Sequence, residues 1–258
     1  MKLSELDAYF RSIMKIDELD GKDISLNGIQ VSAIEGRSEE IEINKIAFAV
    51  DACLETFERA ADSGANMLFV HHGIFWGKLE RISGSYFRRL KYLIDNNLVL
   101  YASHIPLDMH PEFGNNAGIC SALGVISPEP FGAFRGVNIG FKGSLPEESN
   151  INTILDKLGL DERQTMSILP FGSEKIKTVA VISGGGAMDV IDAIDEGVDL
   201  YITGDPAHEV YHTCLENKIN MISAGHYNTE TWGVRLLSEK VASELGLETV
   251  FIDVPTGL

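Results

Sequence analysis

Residues 45–103 read KIAFAVDACLETFERAADSGANMLFVHHGIFWGKLERISGSYFRRLKYLIDNNLVLYAS. Three short apolar runs stand out: KIAFAV at 45–50, ANMLFV at 65–70 and LVLYAS at 98–103. Runs this short and this uniformly apolar read as strands buried on both faces of a parallel sheet. The two segments between them, CLETFERAADSG and SYFRRLKYLIDNN, carry apolar residues at helical spacing and stop at Gly64 and Asn97, residues that commonly end helices. The order β-α-β-α-β predicts an α/β fold.

Working outward, residues 3–19 put Leu3, Leu6, Phe10, Ile13 and Met14 on one helical face, with Ser4 and Asp7 resembling a capping box. A turn-like stretch runs from Asp20 to Gly36. A further helix is expected to begin near Asn115 and Asn116 and to end at Gly124. ISPEPFGAF at 126–134 has two prolines, a glycine and no periodicity, so it reads as a linker. It divides the chain into a first α/β domain at 1–125 and a second α/β part at 126–258, whose last helix and strand could pack back on the first. In the second part, strand-like GVNIGFKG and helical NINTILDKLG precede a new alternation: KTVAVI, GAMDVIDAIDEG, VDLYIT, PAHEVYHTCLEN, INMISA, a helix at about 227–245, and TVFIDV.

The chain of 258 residues is 45% hydrophobic and 23% charged, enough to bury two cores. A formal charge of −17 with no basic run argues against nucleic acid as a partner and is compatible with bound cations. Cys53, Cys120 and Cys214 are too few and too scattered for a disulfide framework or a Cys-x-x-Cys pair. The N-terminus has acids spread among its apolar residues, unlike a signal peptide or a membrane span. The expected compartment is the cytoplasm.

In an open α/β sheet, ligands bind beyond the carboxyl ends of the strands. His71 and His72 follow ANMLFV there, Asp108 lies just past LVLYAS, and His226 follows INMISAG. Adjacent strand residues point to opposite faces, so a loop should turn both histidines toward one site. His226 and Glu230, four apart at the start of a helix, can reach one point. Imidazoles with a shared carboxylate, for which Asp108 is placed, suit two divalent ions. HEVYH at 208–212 fits the H-E-x-x-H pattern with Glu209 as base, but its strand-helix-strand setting opposes a protease site and leaves His208 as a pocket residue. The turn Ser183-Gly184-Gly185-Gly186 could cradle a phosphate on its amides, or could simply be a tight turn.

Seven segments agree in order and spacing with a known family: NGIQV at 27–31, AVDAC at 49–53, HHGIFW at 71–76, SHIPLD at 103–108, SGGGA at 183–187, YITGD at 201–205 and GHYNTE at 225–230. From about residue 3 to the C-terminus the chain resembles the GTP cyclohydrolase 1 type 2, or Nif-three-like, family in its compact form without an inserted middle domain. The resemblance implies two α/β layered domains with a metal site in the cleft between them, and a ring-shaped homohexamer. It also implies two metals on His71, His72, Asp108, His226 and Glu230. Asp205, where the family often has Glu, and HEVYH depart from its pattern. The implied activity is a dinuclear metal-dependent hydrolase that attacks C8 of the guanine of GTP and releases formate. His104 or His208 would move protons, and Gly184, Gly185 and Gly186 would hold the triphosphate of this small-molecule substrate. The alternative is a non-catalytic protein that binds or delivers metal. The ligand types fit zinc, iron, manganese, cobalt and nickel alike.

Overall fold

The computed structural model describes residues 1–19, 21–34, 37 and 39–258. The chain divides into two compact units, Met1–Leu107 with Val234–Val254, and Asp108–Gly233 with Pro255–Leu258. In chain order the first unit begins with α1 (Leu3–Met14), β1 (Gly28–Val31), β2 (Lys45–Asp51), α2 (Leu54–Asp62), β3 (Met67–His72), α3 (Gly84–Asp95) and β4 (Val99–Ala102). A single helical turn, α4 (Ile105–Asp108), leads into the second unit. That unit holds α5 (Asn115–Leu123), β5 (Ile126–Phe134), β6 (Val137–Ser149), α6 (Ile151–Leu158), β7 (Ser167–Pro170), β8 (Ile176–Ile182), α7 (Val190–Asp195), β9 (Leu200–Thr203), α8 (Val210–Asn217) and β10 (Asn220–Ser223). Helix α9 (His226–Leu245) begins in the second unit and ends in the first, which β11 (Glu248–Phe251) completes.

The first sheet has the order β1-β4-β3-β2-β11, parallel except for β1. The three strands legible in residues 45–103 lie at its centre. Alternation sends Ala47, Leu68 and Leu100 to one face, where Phe57 of α2 and Leu93 of α3 cover them. Phe48, Phe69 and Tyr101 go to the other, where Phe10 of α1 packs 5.1 Å from Phe69 and 5.0 Å from Tyr101 between ring centres. α1 ends at Met14, earlier than its periodicity suggests, and a short 3-10 turn continues over Ile16–Leu19. Its start is held by Glu5, whose carboxylate accepts the Lys2 N–H at 2.9 Å, rather than by Ser4 and Asp7. The turn-like reading of Asp20 to Gly36 missed β1; the two end residues of that stretch lie outside the described residues.

The second sheet has the order β5-β6-β8-β9-β10-β7, with β8, β9 and β10 parallel. Ile202 and Ile222 face the layer of α5 and α6, and Tyr201 and Met221 face α7 and α8. The segment 126–134 is a strand and not a linker. β5 pairs with β6 through a two-residue turn in which Arg135 and Gly136 both take positive φ, 47° and 84°, the type I′ geometry that suits a twisted hairpin. Its prolines are tolerated because β5 is an edge strand, where a missing N–H breaks no ladder on the outer side. α8 starts at Val210 and not at Pro206, so His208 and Glu209 of HEVYH precede the helix and do not share its face with His212. Among the described residues no helix is long and apolar enough to cross a membrane.

Candidate metal centre

The parallel strands of the first unit deliver their ends to one place. β2 ends on Asp51, β3 on His71 and His72, and β4 is followed by Ser103 and His104. The two adjacent histidines remain in the strand, contrary to the expected loop, with ring centres 4.6 Å apart. His71 is fully buried and its Nδ1 donates to the carbonyl of Ser103 at 3.0 Å, while Nδ1 of His72 donates to Asp51 Oδ1 at 2.9 Å. Nδ1 of His104 donates to Asp23 Oδ1 at 3.1 Å, and the backbone N–H of His104 donates to Asn27 Oδ1 at 2.8 Å. His71, His72 and His104 each offer a ring nitrogen within 4.8 Å of the others.

Asp23 is the anchor of this arrangement. Its carboxylate also accepts N–H groups from Ser25, Ile105 and the Asn27 side chain, at 2.9, 3.1 and 2.9 Å. Burial alone would raise its pKa, but the hydrogen bond and charge that a protonated His104 would bring, with the hydrogen bonds of Asn27 and Ser25, outweigh burial and hold it down to about 2. Trp76 closes one side, its ring edge-on to His104 at 5.0 Å and its indole N–H given to the Gly73 carbonyl.

The second unit gathers a different set of donors. Asp108, nearly buried, accepts on Oδ1 from Asn115 at 2.9 Å and from the Ser183 hydroxyl at 3.0 Å. Glu230 is 3% exposed, and one of its oxygens lies within 4.8 Å of an oxygen of Asp108. His226, at the first position of α9, has Nε2 3.2 Å from Glu230 Oε1 and donates from Nδ1 to Asp205 Oδ2 at 2.9 Å. The Glu230 carboxylate, helped by Asp205 and opposed by burial, pushes the His226 imidazole up to about 9.

These donors suit divalent ions. In all four imidazoles Nδ1–H is given to an oxygen that can only accept, which fixes the ring and turns Nε2 toward the other donors; in the neutral ring that nitrogen carries the lone pair, and a divalent ion would displace the proton that Glu230 favours on His226. Metal-binding histidines are held in this way, by a carboxylate or carbonyl on the far nitrogen. The two buried carboxylates supply the oxygen donors.

The Ser183–Gly186 turn sits beside this group. Gly184 has φ +63°, and a Cβ on it would fall 2.2 Å from Glu230 Oε1 and 3.1 Å from His226 Nε2. The Ser183 and Gly184 amides are already given to Asn116 Oδ1 and Thr229 Oγ1, at 2.6 and 3.0 Å. Gly186 takes the Tyr201 hydroxyl on its carbonyl, and a Cβ added at Gly185 would meet Asp205 Oδ2 at 3.6 Å. His208 is exposed and lines a separate cavity of about 290 Å³, whose lining includes none of Asp108, His226 and Glu230. Asp23 and Asp51 are the residues that the motif reading passed over, and Asp205 it noted only as a departure from the family pattern. Asp51 and Asp205 stand in AVDAC and YITGD, at strand ends, and that position was the signal that could have found them.

Known proteins resemble this chain over its whole length. A protein of Archaeoglobus fulgidus named "GTP cyclohydrolase 1 type 2 homolog" is 43% identical over the whole of both chains, and one of that name from Treponema pallidum is 38% identical over the whole of both. The crystal structure of TTHA1606 from Thermus thermophilus shares the fold over the whole of both chains, with a TM-score of 0.86 at 36% identity. The family model for Duf34/NIF3 (NGG1p interacting factor 3) matches residues 1–257, and the chain belongs to that family.

Proposed function

We propose that this chain is a metal-dependent hydrolase in which His71, His72, Asp108, His226 and Glu230 serve a pair of divalent ions and the substrate is the purine ring of GTP, opened with loss of formate. The observation that carries the metal half is the uniform tethering of Nδ1 in every imidazole of both donor groups. The two groups complement each other chemically, since the first unit offers only nitrogens and the second adds the carboxylates that a close pair of dications needs. The substrate half is supported by the names of the relatives from Archaeoglobus fulgidus and Treponema pallidum.

When bound, such ions acidify water and stabilise developing negative charge. The chain's own part is positioning. Asp205 and Asp51 orient His226 and His72, Asn115 and the Ser183 hydroxyl fix Asp108, and Gly184 leaves room for Glu230.

Elemental analysis of purified protein should find about two divalent ions per chain, as expected where N and O donors share a bridging carboxylate. His71→Ala and Glu230→Ala should each lower that number. Metal-replete protein should release formate from GTP, and Asp108→Ala should abolish the release. A stoichiometry unchanged in both alanine variants would remove the ligand assignment. Two retained metals with no formate and no thermal shift on adding GTP would instead leave a protein that binds or delivers metal.

A further inference from the structure

Resting on the metal-dependent reading above, we propose that His104 is itself a metal ligand, so that the first unit alone carries a three-imidazole site, His71, His72 and His104, for one divalent ion of the zinc and cobalt(II) kind. A sequence reading makes His104 a proton carrier. Its surroundings give it the fixed geometry of a ligand instead.

A ring nitrogen of each of the three residues lies within 4.8 Å of the others. Each ring is pinned at Nδ1 by an atom that can only accept: Ser103 O, Asp51 Oδ1 and Asp23 Oδ1, at 3.0, 2.9 and 3.1 Å. All three lone pairs are therefore on Nε2. His104 is held from several sides. Asp23, with its side chain only 2% exposed, is itself fixed by three further N–H donors, Asn27 holds the His104 backbone, and the ring of Trp76 meets that of His104 at 80°. An aspartate on Nδ1 would orient a proton carrier as well, and it is the convergence of this ring with two others held in the same way that points to a ligand.

The donor chemistry sets the class of ion. Three neutral nitrogens without a carboxylate favour borderline ions such as zinc, cobalt(II), nickel and copper(II) over magnesium or calcium, which demand oxygen. Three protein ligands also leave a coordination position open, as in zinc sites that do chemistry.

The test is cobalt(II) titration of the metal-stripped full chain, followed by its visible absorption, with copper(II) paramagnetic resonance to count coordinated nitrogens. The Asp108→Asn/Glu230→Gln double variant removes the carboxylates of the second unit. It should still bind one cobalt per chain, with three nitrogens on copper. Adding His104→Ala should weaken cobalt binding by more than the roughly 10–100-fold that loss of an outer partner costs, and should drop the nitrogen count to two. His104→Gln, which keeps the size of the side chain, should behave like the alanine variant. Asp23→Asn should stay within about 10–100-fold and keep three nitrogens. Circular dichroism confirms that each variant is folded. The proposal is overturned if the double carboxylate variant binds no cobalt, or if removing His104 leaves affinity and nitrogen count unchanged. In either case wild-type chain that still binds two ions keeps the proposed function standing. Wild-type chain that binds none overturns both.

Discussion

At Gly184 a hydrogen atom stands where any other residue would push a carbon into a carboxylate. Its φ of +63° and the 2.2 Å from an added Cβ to Glu230 Oε1 act together, because alanine there would strain the backbone and displace the side chain. Gly184→Ala is expected to cost about 1–3 kcal/mol of stability and to lower metal content. Urea unfolding and elemental analysis check this, and a variant with wild-type metal content would show that the close approach has no part in binding. Sequence alone could not assign this glycine. A run of three reads equally as a phosphate cradle or as a place where something comes close, and what comes close here is a side chain from a distant segment. His71 and His72 were legible because an adjacent pair at a strand end is uncommon. Asp51 and Asp205 were given no role, since an aspartate after a strand is the ordinary turn residue and its part appears only when its histidine is seen.

Among the elements, α1 shows how far periodicity reaches. Leu3, Leu6, Phe10 and Met14 are all buried, and Phe10 meets Phe69 and Tyr101 on the central strands. Phe10→Ala is expected to cost roughly 3–5 kcal/mol, measured as a shift in the denaturant midpoint with an unchanged slope. A cost below about 1 kcal/mol, the level of a surface change, would mean that the helix does not anchor the sheet. The central strands were legible for a different reason, since each buries both faces over most of its length and so reads as a continuous apolar run. β5 was not, because Pro128 and Pro130 carry the signal of a linker and only its place at the sheet edge makes them harmless. The turn that joins it to β6 was equally hidden, as Arg135-Gly136 lacks the Asn or Asp that usually announces positive φ at two successive positions. HEVYH misled in the other direction: its spacing is helical, but the chain enters the helix only at Val210.

For the whole molecule, the charge of −17 and the buried carboxylates Asp108 and Glu230 set the response to chelation. Ions that bind only the folded chain stabilise it by mass action, by about 2.7 kcal/mol at a free concentration one hundred times Kd. Removing them with a chelator should lower the Tm, and adding excess zinc or cobalt should restore it. A Tm indifferent to both would leave the donor groups without a resident ion. The path of the chain has a consequence of another kind. All six strands of the second sheet lie between residues 126 and 223, whereas the first sheet waits for β11 at Glu248–Phe251 to cover the edge of β2. As the chain leaves the ribosome, the second unit therefore has every strand it needs while the first, although begun earlier, still exposes Lys45–Asp51 as an unpaired edge. The N-terminal sheet is the later to finish, and through that interval β2 is the segment most in need of protection by a chaperone.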